Sequence, residues 1–119
     1  MAHEIPRPLD LLEQTILDRQ ETSSEKSYTA QLLAGGVEKI GGKIIEESAE
    51  FVEAAGEPGE AGRAHTIGEA GDLLYHLLVL LAARGIRLAE VETELAKRFG
   101  VSGIDEKLRR SEKQKPESC

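Results

Sequence analysis

Glu46, Glu47 and Glu50 fall within one short segment, and Glu69 and Asp72 within another. Residues three or four apart share one face of a helix, so each set projects from one side of its own segment. Where those sides meet, the acids converge with no basic residue interleaved among them. Such crowding of like charge is unfavourable unless a cation offsets it. Hard divalent cations such as Mg²⁺ suit all-oxygen ligand sets and also hold phosphates of a substrate. The spacing therefore points to metal-assisted phosphate chemistry. A solvated acidic face is the simpler reading in a chain that is 31% charged, and register separates the two.

At about 100° per residue, Lys43, Glu46, Glu47, Glu50 and Glu53 lie on one arc. Val37, Ile40, Ile44, Ser48, Phe51 and Ala55 lie on the adjoining one. Glu47 sits at the seam between them. In the second segment Glu69, Asp72, His76 and His65 share an arc beside Leu73 and Leu77. A carboxylate at such a seam is half-buried and needs a partner. Two such helices in succession favour the metal.

The elements that position these acids are all helical by pattern. Pro6 and Pro8 close an extended leader, residues 1–8, and Leu9, Leu12 and Ile16 open a stripe running to Gln20. Ser27 is the N-cap of a short helix through Leu33, which Gly35-Gly36 end. The first acidic helix spans 37–55, the Gly56-Glu57-Pro58-Gly59 turn follows, and the second acidic helix spans 60–83 and stops near Gly85. Leu88, Val91, Leu95 and Phe99 mark a last helix. The expected fold is all-α, a bundle of four to five helices in a single domain, residues 9–104. Residues 105–119 read as a polar tail or a loosely docked helix.

Composition sets further limits. A chain of 119 residues builds one modest core, and with only two Tyr, two Phe and no Trp that core is aliphatic. A net charge of −7 argues against a nucleic-acid backbone as partner but suits a small phosphorylated ligand, because a metal supplies the missing positive charge. Cys119 is the lone cysteine, so neither a disulfide framework nor a thiol nucleophile is expected. The N-terminus lacks the apolar stretch of a signal peptide, and the apolar run 73–83 is too short for a bilayer, so the expected location is cytoplasmic, away from membranes.

Two other motifs fail on inspection. A phosphate loop ending in Gly42-Lys43 would need glycine at position 37, which is Val, and Ser or Thr at 44, which is Ile. A di-iron carboxylate bundle needs Glu-x-x-His pairs, and neither acid cluster has histidine at that offset. All-oxygen ligation favours magnesium or manganese over iron.

The pair Glu47-x-x-Glu50 and Glu69-x-x-Asp72 resembles the signature of the all-α, MazG-like nucleoside-triphosphate pyrophosphohydrolases. The flanking residues are most similar to the phosphoribosyl-ATP pyrophosphohydrolase family of histidine biosynthesis. They comprise Ser27-Tyr28-Thr29, Leu32-Leu33 and the glycine turn, and Lys43 ahead of Glu46-Glu47. Further on they are Glu69 to His76, Leu77 to Gly85, and Val91 with Leu95 to Arg98, so that the likeness covers 9–98.

The resemblance implies Mg²⁺-dependent (or Mn²⁺-dependent) cleavage of the α–β bond of phosphoribosyl-ATP, giving phosphoribosyl-AMP and pyrophosphate. It implies Glu47, Glu50, Glu69 and Asp72 as metal ligands, Glu46 as an auxiliary group, and Glu46 or Glu50 as the carboxylate that orients water. Lys43 then reads as a phosphate contact or as an i,i+4 partner of Glu47. His76 reads as a substrate contact or a satisfied core histidine, Tyr28 as a substrate contact or core filler, and Arg19 and Arg98 as phosphate contacts. A homodimer with its site at or near the subunit interface is also implied. The family usually carries good helix formers where Gly41-Gly42 stand, so a delayed or kinked helix is expected there; Gly71 replaces a typical alanine. Two alternatives stay open: a MazG-like house-cleaning enzyme acting on other nucleotides, and a non-catalytic helical interaction module.

Overall fold

The computed structural model describes residues 6–99, which form four helices and no strand. Helix α1 spans Pro8–Arg19. Pro8 belongs to it rather than to the leader, because a proline at the first helical position lacks only an N–H that would have no partner there. Helix α2 spans Tyr28–Ala55, α3 spans Gly59–Ala83 and α4 spans Leu88–Phe99. Ser27 caps α2 as its type predicts: its backbone is extended and its hydroxyl accepts the Ala30 N–H at 3.0 Å.

Helix α2 is two helices in one. Gly36 breaks it with φ 77° and ψ −172°, a conformation that is essentially confined to glycine. The segments on either side are those that the sequence separates at Gly35-Gly36. The expected disturbance at Gly41-Gly42 does not occur, and Gly36 is the one residue inside α2 with non-helical dihedrals. A Cβ at either of these two glycines would meet nothing within 4 Å, and the buried Ile40 beside them holds the helix against its neighbours.

Between α2 and α3 the chain reverses through Gly56, Glu57 and Pro58, and Gly59 adopts φ 76°. Gly62 completes the reversal: a Cβ there would lie 2.1 Å from the Glu57 carbonyl oxygen, so only glycine lets the turn fold back this closely. Helix α3 ends in a Schellman motif. Gly85 takes φ 71°, its N–H bonds the Ala82 carbonyl at 3.0 Å, and the Ile86 N–H bonds Leu81 at 2.8 Å.

Helices α2 and α3 form an antiparallel hairpin, and α1 packs across both. Ile16, Leu32, Ile40 and Val79 are its largest fully buried side chains. Glu13 of α1 is also buried, and Arg87 grips both of its oxygens, at 3.3 and 3.4 Å. Gln20 ties the end of α1 to α3 through the Ala82 carbonyl. The apolar arc read on α2 is only partly covered, since Val37 is 53% exposed. Ile45 and Val52 on α2 and Ile67 and Leu74 on α3 are likewise exposed.

Helix α3 as a whole is long and apolar enough to cross a membrane by length and composition. Only 22% of its most apolar stretch is buried, so the eleven-residue run counted in the sequence understates it. Helix α4 falls in a unit of its own, which begins at Leu88. None of its residues is buried, and Glu94 pairs there with Lys97 and Arg98. The expected tail, 105–119, lies outside the described residues.

Candidate metal centre

Helix α2 presents Glu46, Glu47 and Glu50, and the facing turns of α3 present Glu69 and Asp72. One carboxylate oxygen each from Glu47, Glu50 and Glu69 lie within 4.8 Å of one another. Glu47 is half-buried, the Glu69 side chain is 15% exposed, and Glu50 is open to solvent. The Oε1 atoms of Glu47 and Glu69 are both buried without a hydrogen-bond partner among the described residues. A buried, unpaired carboxylate oxygen is strongly unfavourable. Burial first, and then the nearby Asp72 charge, raise the Glu47 pKa above the usual carboxylate range; His76 acts in the opposite sense, and Glu69 adds to the rise. Orphaned, mutually repelling oxygens in an all-oxygen set suit a hard divalent cation.

The remaining expected residues fall into three groups. Asp72 is exposed beside the cluster and acts on Glu47 through its charge. Lys43 pairs with Glu46, Nζ to Oε1 at 3.1 Å, rather than with Glu47. That hydrogen bond, followed by the Tyr28 and Glu46 charges, raises the Lys43 pKa. Arg19 is exposed at the end of α1, with no described side-chain contact to the acids, and Arg98 bonds Glu94 in α4.

His76, one turn beyond Asp72, is 5% exposed, and both ring nitrogens are engaged. Its Nδ1–H donates to the Asp72 backbone carbonyl at 2.9 Å, and Nε2 shares a hydrogen bond with the Tyr28 hydroxyl at 3.2 Å. Tyr28 is 49% exposed, so it is not core filler, and its ring lies 6.4 Å from that of Tyr75, nearly parallel. The Tyr75 hydroxyl in turn bonds Thr29 Oγ1, and burial raises the Tyr75 pKa. The Ser-Tyr-Thr stretch and the Tyr-His pair are thus two halves of one contact, joining the start of α2 to the helix that carries Glu69 and Asp72.

Residues 9–99 match the profile described as Phosphoribosyl-ATP pyrophosphohydrolase. The chain belongs to the phosphoribosyl-ATP pyrophosphohydrolase family. Curated relatives agree over nearly their whole length. A protein of Rhodopirellula baltica named phosphoribosyl-ATP pyrophosphatase is 56% identical, over 89% of this chain and 88% of its own. Proteins of the same name from Trichlorobacter lovleyi and Paracoccus denitrificans are 52% and 50% identical, each covered over 94% of its length. Membership sets aside the non-catalytic module.

Two further side chains at the acid cluster carry no motif. His65 Nε2 lies 3.3 Å from Glu69 Oε2, and His65 Nδ1 lies 2.9 Å from Glu57 Oε1. The i,i+4 spacing of His65 and Glu69 was the available signal for the first contact. Glu57 gave none, because the tight turn at Gly62 brings it there. A cleft of about 480 Å³ opens where Thr22, Ser24, Gly36 and Ala83 meet, at the far end of α3 from the acids. Among the described residues no ionisable side chain lines it.

Proposed function

We propose that this chain hydrolyses phosphoribosyl-ATP at the α–β phosphoanhydride, releasing phosphoribosyl-AMP and pyrophosphate as a step of histidine biosynthesis. The observation that carries this reading is the convergence of Glu47, Glu50 and Glu69 with two buried oxygens unpaired, in a chain of this family. Glu47, Glu50 and Glu69, with Asp72 beside them, would hold Mg²⁺ or Mn²⁺. Such an ion supplies the positive charge that draws a triphosphate to an acidic site and lowers the pKa of a coordinated water.

The chain's own groups do the rest. Glu50 is solvent-exposed at the cluster's edge, where a carboxylate can orient water and accept its proton. Glu46 is held by Lys43 and is the second choice for that role; Lys43 is the candidate phosphate contact on the same arc. Tyr28, half-exposed, offers a ring face to the substrate, and His76 keeps that ring in place from below. Arg19 is the weakest of the substrate contacts, since α1 turns it outward. No serine–histidine pair occurs among the described hydrogen bonds, so water attacks phosphorus directly.

The exposed apolar residues of α2 and α3 support a homodimer. Ile45 and Val52, and Ile67 and Leu74, are each seven residues apart and so fall on one stripe of their helix. A second copy of the α2–α3 hairpin would cover both stripes as a four-helix bundle. Covered in this way, α3 needs no membrane, which fits a cytoplasmic enzyme.

Phosphorus NMR of the product mixture tests the assignment. Phosphoribosyl-ATP with Mg²⁺ should give pyrophosphate, and chelator should stop the reaction. Orthophosphate would mean cleavage of the outer bond, and faster turnover of a simple deoxynucleoside triphosphate would favour the house-cleaning alternative.

A further inference from the structure

His65 links the acid cluster to the turn that precedes it. Its Nε2 faces Glu69 Oε2 at 3.3 Å and its Nδ1 faces Glu57 Oε1 at 2.9 Å. A carboxylate only accepts hydrogen bonds, so Nδ1–H donates to Glu57, while Nε2 stands within ion-pair reach of Glu69. The two oxygens of Glu69 are therefore in different situations. Oε2 is gripped by His65, while Oε1 is buried and has no hydrogen-bond partner among the described residues. A carboxylate gripped at one oxygen loses rotation about its last torsion, which is broad when unrestrained, and its other oxygen is fixed.

Glu57 is held in turn. Its N–H bonds the Ala54 carbonyl at 3.0 Å, and its own carbonyl packs where a side chain at Gly62 would stand. His65 is half-exposed and takes no part in the core, so its contacts with Glu57 and Glu69 account for its orientation.

We propose that His65 is a positioning residue for Glu69, with Glu57 as its anchor, so that the α2–α3 turn fixes one ligand of the metal site. The proposal rests on the metal reading of the acid cluster given above. Partners that orient a metal ligand in this way typically contribute about 10–100-fold to metal affinity.

Mn²⁺ binding to the metal-free full-length chain, followed by the EPR signal of free Mn²⁺, is the test. His65→Leu should raise the Mn²⁺ Kd about tenfold, and His65→Gln, whose amide can still donate to Glu69 one turn on, should recover most of that. Glu57→Gln should weaken binding by less than His65→Leu. An unchanged or tighter Kd in His65→Leu would overturn the proposal, as would equal losses in the Leu and Gln variants. Should His65→Leu not fold, Glu57→Gln decides: a parental Kd there sinks the anchor and the relay with it. A parent chain that binds no Mn²⁺ removes the metal reading itself, and this role falls with it.

Discussion

Among the carboxylates, distance along the chain matters less than what each one faces. Glu46 and Glu50 differ by one helical turn, yet Lys43 occupies the first and the second joins Glu47 and Glu69. Glu53, a further three residues along the same arc, is exposed and lies outside the cluster. Glu50→Ala should therefore reduce pyrophosphate release at least about a hundredfold, since a lost ligand exceeds the effect of a lost outer partner. Glu53→Ala should change it less than about threefold. Removing Glu50 also relieves repulsion, so the metal-free variant should melt no lower than the parent. Equal losses at both positions, measured as product formed at saturating Mg²⁺, would show that the cluster is not the metal site.

The helices owe their ends to residues whose conformations are forced, and their middles to packing. Gly36 divides α2 at a backbone geometry closed to other residues, whereas Gly42 sits in regular helix with open space where a Cβ would go. The two should respond oppositely to alanine. Gly36→Ala is expected to destabilise by about 1–3 kcal/mol, and Gly42→Ala to stabilise by up to about 1 kcal/mol, through helix propensity and a less flexible unfolded chain. Melting temperatures of the two variants give the signs. A stabilised Gly36→Ala would mean that α2 can run straight through, carrying Tyr28 away from His76.

The described residues bury few large side chains and leave many outside. Ile16, Leu32, Ile40 and Val79 are the largest side chains of the fully buried centre, while Ile45, Val52 and Ile67 are each at least 60% exposed. Monomeric proteins rarely leave apolar stripes of this kind uncovered, and a second copy is the partner proposed above. Ile45→Glu should then yield monomers by light scattering at micromolar concentration and lose most activity, although Ile45 is not one of the clustered acids. A parental chain that is monomeric and fully active would end the dimer proposal.

Much of this was legible in one dimension because helices obey local rules. Ser27 acts through its own hydroxyl, and Gly36, the turn at Gly56 to Gly59 and the stop at Gly85 through their own backbone, so their effects follow from residue type. The i,i+3 and i,i+4 spacing likewise placed Glu47 with Glu50, and Glu69 with Asp72, on single faces. What spacing within a helix cannot give is the register of one helix against another. That register decided that Glu69 meets Glu47 and Glu50 while Asp72 stands beside them, and that Tyr28 reaches His76 across 48 positions. It also decided that Glu57 reaches Glu69 through His65. These contacts depend on how α2 folds back on α3, and that is set by a glycine at 62 that lets two backbones touch and by the burial of Ile40 and Val79, not by the spacing of the acids themselves.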